Sequence, residues 1–229
     1  MIIKGLQKTT LLDFPGKVAC TVFTGGCNFR CPFCHNASLV LSYNEIPDIS
    51  EGEFFDFLTK RRGILDGVCV TGGEPLLQKD IIPFLEHIRE LGFKIKLDTN
   101  GSFPEKLREI GELGLIDYIA MDIKNCREKY EVTSGSATAA KKAFESIEYI
   151  MSSGIPYEFR TTVVKELHTS DDILSIAKSI EGADKYFLQA FEDSDEVIES
   201  GFSAHDQATM FEMLERVKPY VKSCGIRGI

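Results

Sequence analysis

The chain has 229 residues, 43% hydrophobic and 27% charged, with 19 Gly and 8 Pro, a balance that excludes disordered, collagenous and low-complexity architectures. Twenty-six basic against 35 acidic residues leave a net charge of −9, which argues against nucleic acid as the main partner because a phosphate-binding surface needs a basic excess. No apolar run approaches the roughly eighteen residues of a membrane span, and Met1-Ile2-Ile3-Lys4-Gly5 lacks the signature of a signal peptide, so a cytoplasmic location without membrane contact is expected.

Apolar β-branched runs alternate with helix-period segments along the chain. Val18 to Phe23 reads as a strand. Ser50-Glu51-Gly52-Glu53 is a capping box, with Ile49 and Phe54 placed as a staple, and opens a helix to about Arg62. Gly67 to Val70 is a short buried strand, followed by a helix striped by Ile81, Leu85, Ile88 and Leu91 and stopped by Gly92. Lys94 to Asp98 is the third strand, and Ser102 with Glu105 is expected to cap the next helix. Ile116 to Met121 is the fourth strand, before a helix marked by Ala140, Phe144, Ile147 and Met151 and ended by Gly154. Tyr157 to Val164 is the fifth, before a helix marked by Ile173, Ala177 and Ile180 and ended by Gly182. Tyr186 to Ala190 is the sixth, before a helix marked by Met210, Met213, Leu214 and Val217 and closed by Pro219. Six β-then-α units imply parallel strands with right-handed crossovers. They are too few for an eight-fold barrel. With no linker or composition break, the expectation is a single domain over residues 1–229, an α/β fold built as an open, partial (β/α)6 TIM-like barrel or a doubly wound sheet.

Both sheet types place ligands at the carboxyl ends of the strands, and the unusual residues follow those ends. Gly25-Gly26-Cys27-Asn28-Phe29-Arg30-Cys31-Pro32-Phe33-Cys34-His35-Asn36 follows the first strand, and Thr71-Gly72-Gly73-Glu74-Pro75 the second. Asp98-Thr99-Asn100-Gly101 follows the third and Asp122-Ile123-Lys124 the fourth, while Arg160 lies within the fifth and Gln189 near the end of the sixth.

Seven cysteines in a reducing compartment make a disulfide framework a poor explanation. Cys27, Cys31 and Cys34 crowd into eight residues, whereas Cys20, Cys69, Cys126 and Cys224 are scattered. A zinc site would need His35, directly next to Cys34, as its fourth ligand, a strained arrangement. Cys31-Pro32-Phe33-Cys34-His35 also matches the haem-attachment pattern, but that reading leaves Cys27 idle. A four-iron cluster normally takes four cysteines, and with three it keeps one iron open.

Cys27-x3-Cys31-x2-Cys34, with Phe33 just before the last cysteine, resembles the signature of the radical S-adenosylmethionine enzymes, and the resemblance covers nearly the whole chain. Gly72-Gly73-Glu74 matches the family's strand-two motif, which in relatives binds the amino group of S-adenosylmethionine. Asp13-Phe14-Pro15-Gly16, Cys34-His35-Asn36, Asp98-Thr99-Asn100-Gly101 and Asp122-Ile123-Lys124 look like the activating enzymes of glycyl-radical enzymes. Phe14-Pro15-Gly16-Lys17 and Leu188-Gln189-Ala190-Phe191 look most like those of anaerobic ribonucleoside-triphosphate reductase.

The resemblance implies a [4Fe-4S] cluster on Cys27, Cys31 and Cys34 and S-adenosylmethionine on its open iron. It implies reductive cleavage to methionine and a 5′-deoxyadenosyl radical, which takes hydrogen from a glycine Cα of the partner enzyme. Phe33 would lie along the adenine, and Gly72 and Gly73 would let the backbone approach the ligand. Glu74 would take the ammonium and Arg160 a carboxylate of the cofactor. Asp98, Thr99 and Asp122 would bind the cofactor or a monovalent cation, with Lys124 beside them as a catalytic or charge-neutralising group. A flavodoxin or ferredoxin is implied as electron donor. Asp13 is expected at the barrel mouth, offering an acceptor to an incoming peptide strand, with the segment 125–136 lining the same mouth. Competing readings are an activase of pyruvate formate-lyase or another glycyl-radical enzyme, a small-molecule enzyme of the 7-carboxy-7-deazaguanine synthase kind, and a zinc or iron–sulfur binding module.

Overall fold

The computed structural model describes residues 1–229. The chain forms two compact units, Met1–Asn28 with Asn36–Thr99 and Glu105–Ile119, and Phe29–His35 with Asn100–Pro104 and Ala120–Ile229. Its eight strands are ordered along the chain, β1 through β8. No helix is long and apolar enough to cross a membrane.

In the first unit β1 (Ile3–Thr10) runs antiparallel to β2 (Ala19–Thr24), which pairs in parallel with β3 (Gly67–Gly72), and β3 in turn with β4 (Lys94–Thr99). The expected alternation of strands and helices is present, with one strand more than expected at this edge. β1 escaped the periodicity reading because its middle residues, Gln7, Lys8 and Thr9, are exposed and its register breaks on both sides of Gly5–Gln7. The sequence also passes through a short helix α1 (Ala37–Leu41) and then α2 (Glu51–Lys60). The capping box of α2 is present as expected: Ser50 Oγ accepts the Glu53 N–H and the Glu53 carboxylate accepts the Ser50 N–H. Next come α3 (Ile81–Glu90) and α4 (Pro104–Glu112). The expected cap at Ser102 is corrected here, because α4 begins only at Pro104. Proline's fixed φ suits the first helical position, and Ser102 instead donates its N–H to Asn100 Oδ1 in a local turn.

The β1–β2 connection carries Asp13. The two strands meet at Thr10 and Ala19, so residues 11–18 form the turn at the amino end of β2, whereas the cysteine loop leaves its carboxyl end after Thr24. Asp13 accepts the Thr21 hydroxyl, and its own N–H donates to Thr10 Oγ1. It is a turn residue whose carboxylate reaches Thr21, three residues or about 10 Å short of Thr24 along β2. Phe14-Pro15-Gly16-Lys17 is likewise a turn, closed by the Lys17 N–H on the Phe14 carbonyl at 3.1 Å, with Gly16 at φ +70°. Proline followed by a positive-φ glycine is the type II pattern. Phe14 is buried, 6.2 Å from the Tyr118 ring, and rests where Gly67 has no side chain.

The second unit contains most of β5 (Tyr118–Asp122), then α5 (Tyr130–Ser134), α6 (Ala139–Ser152), β6 (Tyr157–Val163), α7 (Ser170–Ser179), β7 (Tyr186–Ala190), α8 (Gln207–Val217) and β8 (Cys224–Arg227). β6, β7 and β8 pair in parallel. β8 is the second strand the periodicity missed, being four residues with a glycine inside. A side-chain clamp holds it: Arg227 grips buried Glu158 with both terminal nitrogens, at 2.8 and 3.0 Å, and lies 3.7 Å over the Phe187 ring. Such bidentate pairing fixes direction as well as charge.

A methyl group added at Gly67 would lie 2.9 Å from Phe14 and 2.7 Å from the Lys94 carbonyl oxygen. Gly67→Ala is therefore expected to destabilise the protein by about 1–3 kcal/mol in urea unfolding. An unchanged midpoint would show that the Phe14 site has slack.

Candidate functional site

At the carboxyl ends of β2 and β3, backbone meets backbone. The Gly73 N–H donates to the Thr24 carbonyl at 2.8 Å and the Glu74 N–H to the Gly26 carbonyl at 2.9 Å. A Cβ on Gly73 would sit 2.0 Å from the Gly26 oxygen, and one on Gly72, at φ +112°, 2.4 Å from the Thr24 nitrogen. These two glycines were expected to admit a ligand. The chain that leads into Cys27 itself passes this close to them. That chain is pinned again by Gly25 N–H on the Ile2 carbonyl, Gly26 N–H on the Leu39 carbonyl, and the Gln78 amide on the Gly25 carbonyl at 2.7 Å. The Asn36 amide, beyond the cysteines, donates to the Gly72 carbonyl at 3.1 Å.

Glu74 is fully buried, its Oε1 accepting the Leu76 N–H at 3.0 Å and the Thr99 hydroxyl at 2.9 Å. A buried carboxylate held by two donors is aimed, and its charge favours a cationic partner. Asp98 forms an ion pair with Lys96, two residues earlier on the same face of β4. Lys96 is itself buried and lies 3.7 Å from the Cys69 sulfur. The sequence reading named Asp98 and overlooked Lys96, whose type in a strand reads as solvated until register places it opposite Cys69 and, beyond it, Thr21.

In the second unit the cysteine loop is held from both sides. The Arg30 N–H donates to the Ser134 carbonyl at 2.9 Å, at the end of α5, so part of the segment 125–136 does lie against the loop. The Cys34 N–H closes a turn on the Cys31 carbonyl, and the N–H groups of Glu199 and Ile198 donate to the Pro32 and Cys34 carbonyls. The Phe33 ring is buried, edge-on to His168 at 6.3 Å. Its ring is thus committed to packing, which leaves its backbone for a ligand.

Asp122, Lys124 and Arg160 come together; Lys124 was expected beside Asp122, whereas Arg160 was expected on the cofactor and here pairs with Asp122. Arg160 Nε lies 2.8 Å from Asp122 Oδ1 and Lys124 Nζ 3.2 Å from Oδ2. Burial alone would raise the Asp122 carboxyl, but the Arg160 guanidinium and the Lys124 ammonium outweigh it and hold the group well below the usual carboxylate range. For Lys124, burial is outweighed by the charge of Asp122, with Cys31 and Cys34 acting in the same direction, so its ammonium is held charged. His168 locks this corner and was not foreseen. It is buried, accepts the Val164 N–H on Nδ1, and lies 2.8 Å through Nε2 from the Lys124 carbonyl. Burial lowers its pKa, which keeps the ring neutral with the proton on Nε2. Only a spacing pattern with Lys124 would have found it, and none exists between positions 124 and 168.

None of the seven cysteines forms a disulfide. Burial pushes Cys20 up to about 12, and it also raises Cys126 and Cys224, so these remain protonated. Cys27, Cys31 and Cys34 lie in one eight-residue loop, two of them partly exposed; their side chains are not gathered into a metal-holding group in this structure, and it is their chemistry and spacing that suit an iron–sulfur cluster with one open iron.

Residues 21–180 match the family model described as the Radical SAM superfamily. A Methanocaldococcus jannaschii protein provisionally named a glycyl-radical enzyme activating enzyme is 33% identical over 200 residues, covering 85% of this chain and 81% of that one. The pyruvate formate-lyase-activating enzyme of Clostridium pasteurianum is 27% identical over 199 residues, covering 81% and 80%. Among solved structures, Streptococcus suis SuiB bound to its precursor peptide SuiA superposes with a TM-score of 0.72 at 15% identity. It covers 91% of this chain, which spans about half the length of SuiB (48%), and the likeness shows the fold alone.

The Asp122 group has a measurable acid limb. Its depressed folded pKa contributes stability that is full above the unfolded value of about 3.9 and is lost as pH falls through the folded value. The gap in urea midpoint between the wild type and Asp122→Asn should be full at pH 6 and narrow below about pH 4. A gap independent of pH would show that the carboxylate charge is not what Arg160 and Lys124 hold.

Proposed function

The chain belongs to the radical SAM superfamily, and on that premise we propose that it is an activase that installs a glycyl radical on a partner enzyme. The observation that carries the reading is the 33% identity, over most of both chains, to a protein named for that activity. The family match draws on residues of both compact units, which supports a single catalytic domain. Anaerobic ribonucleoside-triphosphate reductase is the first partner to test and pyruvate formate-lyase the second, the latter on the strength of the Clostridium relative.

Cys27, Cys31 and Cys34 would hold the cluster, with S-adenosylmethionine at its open iron. When bound, these two groups supply one-electron reduction of a sulfonium and a radical able to take hydrogen from a glycine Cα. The chain's own residues position and insulate. Glu74, fixed by Leu76 and Thr99, offers its carboxylate to the ammonium of the cofactor. Arg160 and Lys124 neutralise Asp122 and leave one positive charge in excess, which serves a cofactor carboxylate and the Cys31 and Cys34 thiolates. Gly72 and Gly73 set the path of the chain into Cys27, and the Phe33 backbone remains for the adenine. Asp98 has its own ammonium in Lys96, so the reading requires no monovalent cation there. A flavodoxin or ferredoxin would deliver the electron.

The test is anaerobic reconstitution with iron, sulfide and S-adenosylmethionine, followed by electron paramagnetic resonance on each candidate partner. About four irons per chain are expected, lost in Cys27→Ala, Cys31→Ala and Cys34→Ala and retained in Cys20→Ala or Cys224→Ala. A doublet of a glycyl radical should appear on one partner. One bound zinc, or cofactor cleavage with no radical on any partner, would overturn the activase reading. Gly73→Ala should reduce iron loading as well as cofactor binding, because its methyl group displaces the Gly26 carbonyl just ahead of Cys27.

A further inference from the structure

The connection between β7 and α8, residues 191–206, carries no helix or strand. Loops beyond about 12–15 residues without secondary structure are uncommon in a compact domain, and an ordered one is usually functional. This one is tied down on two sides. Its first part lies on the cysteine loop: the Glu199 N–H donates to the Pro32 carbonyl at 2.9 Å and the Ile198 N–H to the Cys34 carbonyl at 3.2 Å. His35 Nε2 lies 2.5 Å from the Glu192 carbonyl, and the His35 ring packs on Phe191 at 5.3 Å. Its second part lies on the connection that follows β6. The Lys165 N–H donates to the Ser203 carbonyl at 3.0 Å, and the Glu166 carboxylate accepts both the N–H and the hydroxyl of Ser203. His205 Nε2 lies 2.8 Å from the His168 carbonyl, and the His168 ring meets the Phe33 ring edge-on. The contacts thus form a closed circuit around Phe33, the residue between Pro32 and Cys34. The stretch between the anchors is solvated, with Asp193, Asp195 and Glu196 exposed.

We propose that residues 191–206 are a strap that retains the iron–sulfur cluster by holding the cysteine-loop backbone on both sides of Phe33, with Ser203 and Glu166 as the latch at its far end. The proposal rests on the reading of Cys27, Cys31 and Cys34 as cluster ligands. A ligand sulfur leaves its iron only as far as its backbone can swing, and groups that orient a ligand from outside the coordination sphere strengthen metal holding. Here the orienting groups are main-chain donors, from Ile198 and Glu199. The N–H groups of the strap therefore carry the function, and its acidic side chains do not. Ser203 and Glu166 are positioning residues that act through the strap. Coupling of this kind is reciprocal, so a strap that holds the loaded loop is itself held shut by the cluster.

Two substitutions at one exposed position separate backbone from side chain. Glu199→Pro removes the N–H that reaches the Pro32 carbonyl, whereas Glu199→Ala keeps it and removes only the carboxylate. In the anaerobically reconstituted protein, Glu199→Pro should release iron to a chelator about fivefold faster than the wild type, the size of one ordinary hydrogen bond. Glu199→Ala should release it at the wild-type rate. Glutamate-specific cleavage after Glu196 should be about fivefold slower in the loaded wild type than in the cluster-free chain, because slow proteolysis tracks how often a segment opens. At the latch, Ser203→Ala should speed iron release at least about twofold, the low end for one hydrogen bond, and Ser203→Thr should restore it. This second pair carries the test should Glu199→Pro fail to fold. Unchanged release in Ser203→Ala and in a folded Glu199→Pro would overturn the proposal, as would equal cleavage with and without the cluster. Equally fast release from Glu199→Ala would also overturn it, by assigning the effect to the carboxylate. Failure of the wild type to load iron would strike the underlying ligand reading instead, which keeps the two failures distinct.

Discussion

The candidate site depends on one close passage, that of the Gly26 carbonyl over the Cα of Gly73. The separation leaves no room for even a methyl group, and the Glu74 N–H completes the contact as a hydrogen bond to the same oxygen. The entry to the cysteine loop and the backbone that carries Glu74 are therefore placed by a single interaction. Glycine is required there for its missing side chain, more than for any freedom of φ. Rigid placement of this kind is what positioning chemistry needs, since small displacements of a reacting group are costly. The hydrogen bonds from Gly25, Gln78 and Asn36 then hold the same stretch from other directions.

The second unit solves a different problem, that of keeping charge in a half-buried place. Two cations share one carboxylate in the Asp122, Arg160 and Lys124 group. A buried ion pair alone gives little net stability, so the group is better understood as setting the local potential than as holding the fold. His168 contributes by staying neutral: it fills space beside Phe33 and holds the Lys124 carbonyl without adding a further charge.

The chemistry was legible in the sequence where it lies in local spacing. The three cysteines, the Gly72-Gly73-Glu74 string and the carboxylates at strand ends are written within a few residues of each other. So is the capping box at Ser50, which the structure reproduces atom by atom. What escaped depends on register or on distant partners. β8 stands by an Arg227–Glu158 clamp spanning 69 positions, and His168 finds Lys124 across 44. Lys96 looks like a surface residue until β4 pairs with β3. Asp13 depends likewise on register, since its nearness in sequence to the cysteine loop does not tell which end of β2 it joins or that its carboxylate reaches Thr21. The Gly72–Gly73 pair was legible as a place of close approach, but sequence does not show that the chain leading into Cys27 passes there.

The turn at Phe14-Pro15-Gly16-Lys17 bears on what kinship can teach. Its proline and glycine shape a hairpin, and its phenylalanine plugs the space over Gly67. Three of the four residues have an intramolecular reason for their identity. Two proteins sharing this string share a way of closing the amino end of their strands, and inheritance would preserve it through any change of substrate. Ancestry recorded there is that of the scaffold, and descent by such a tetrapeptide carries no news of which glycine is ultimately attacked.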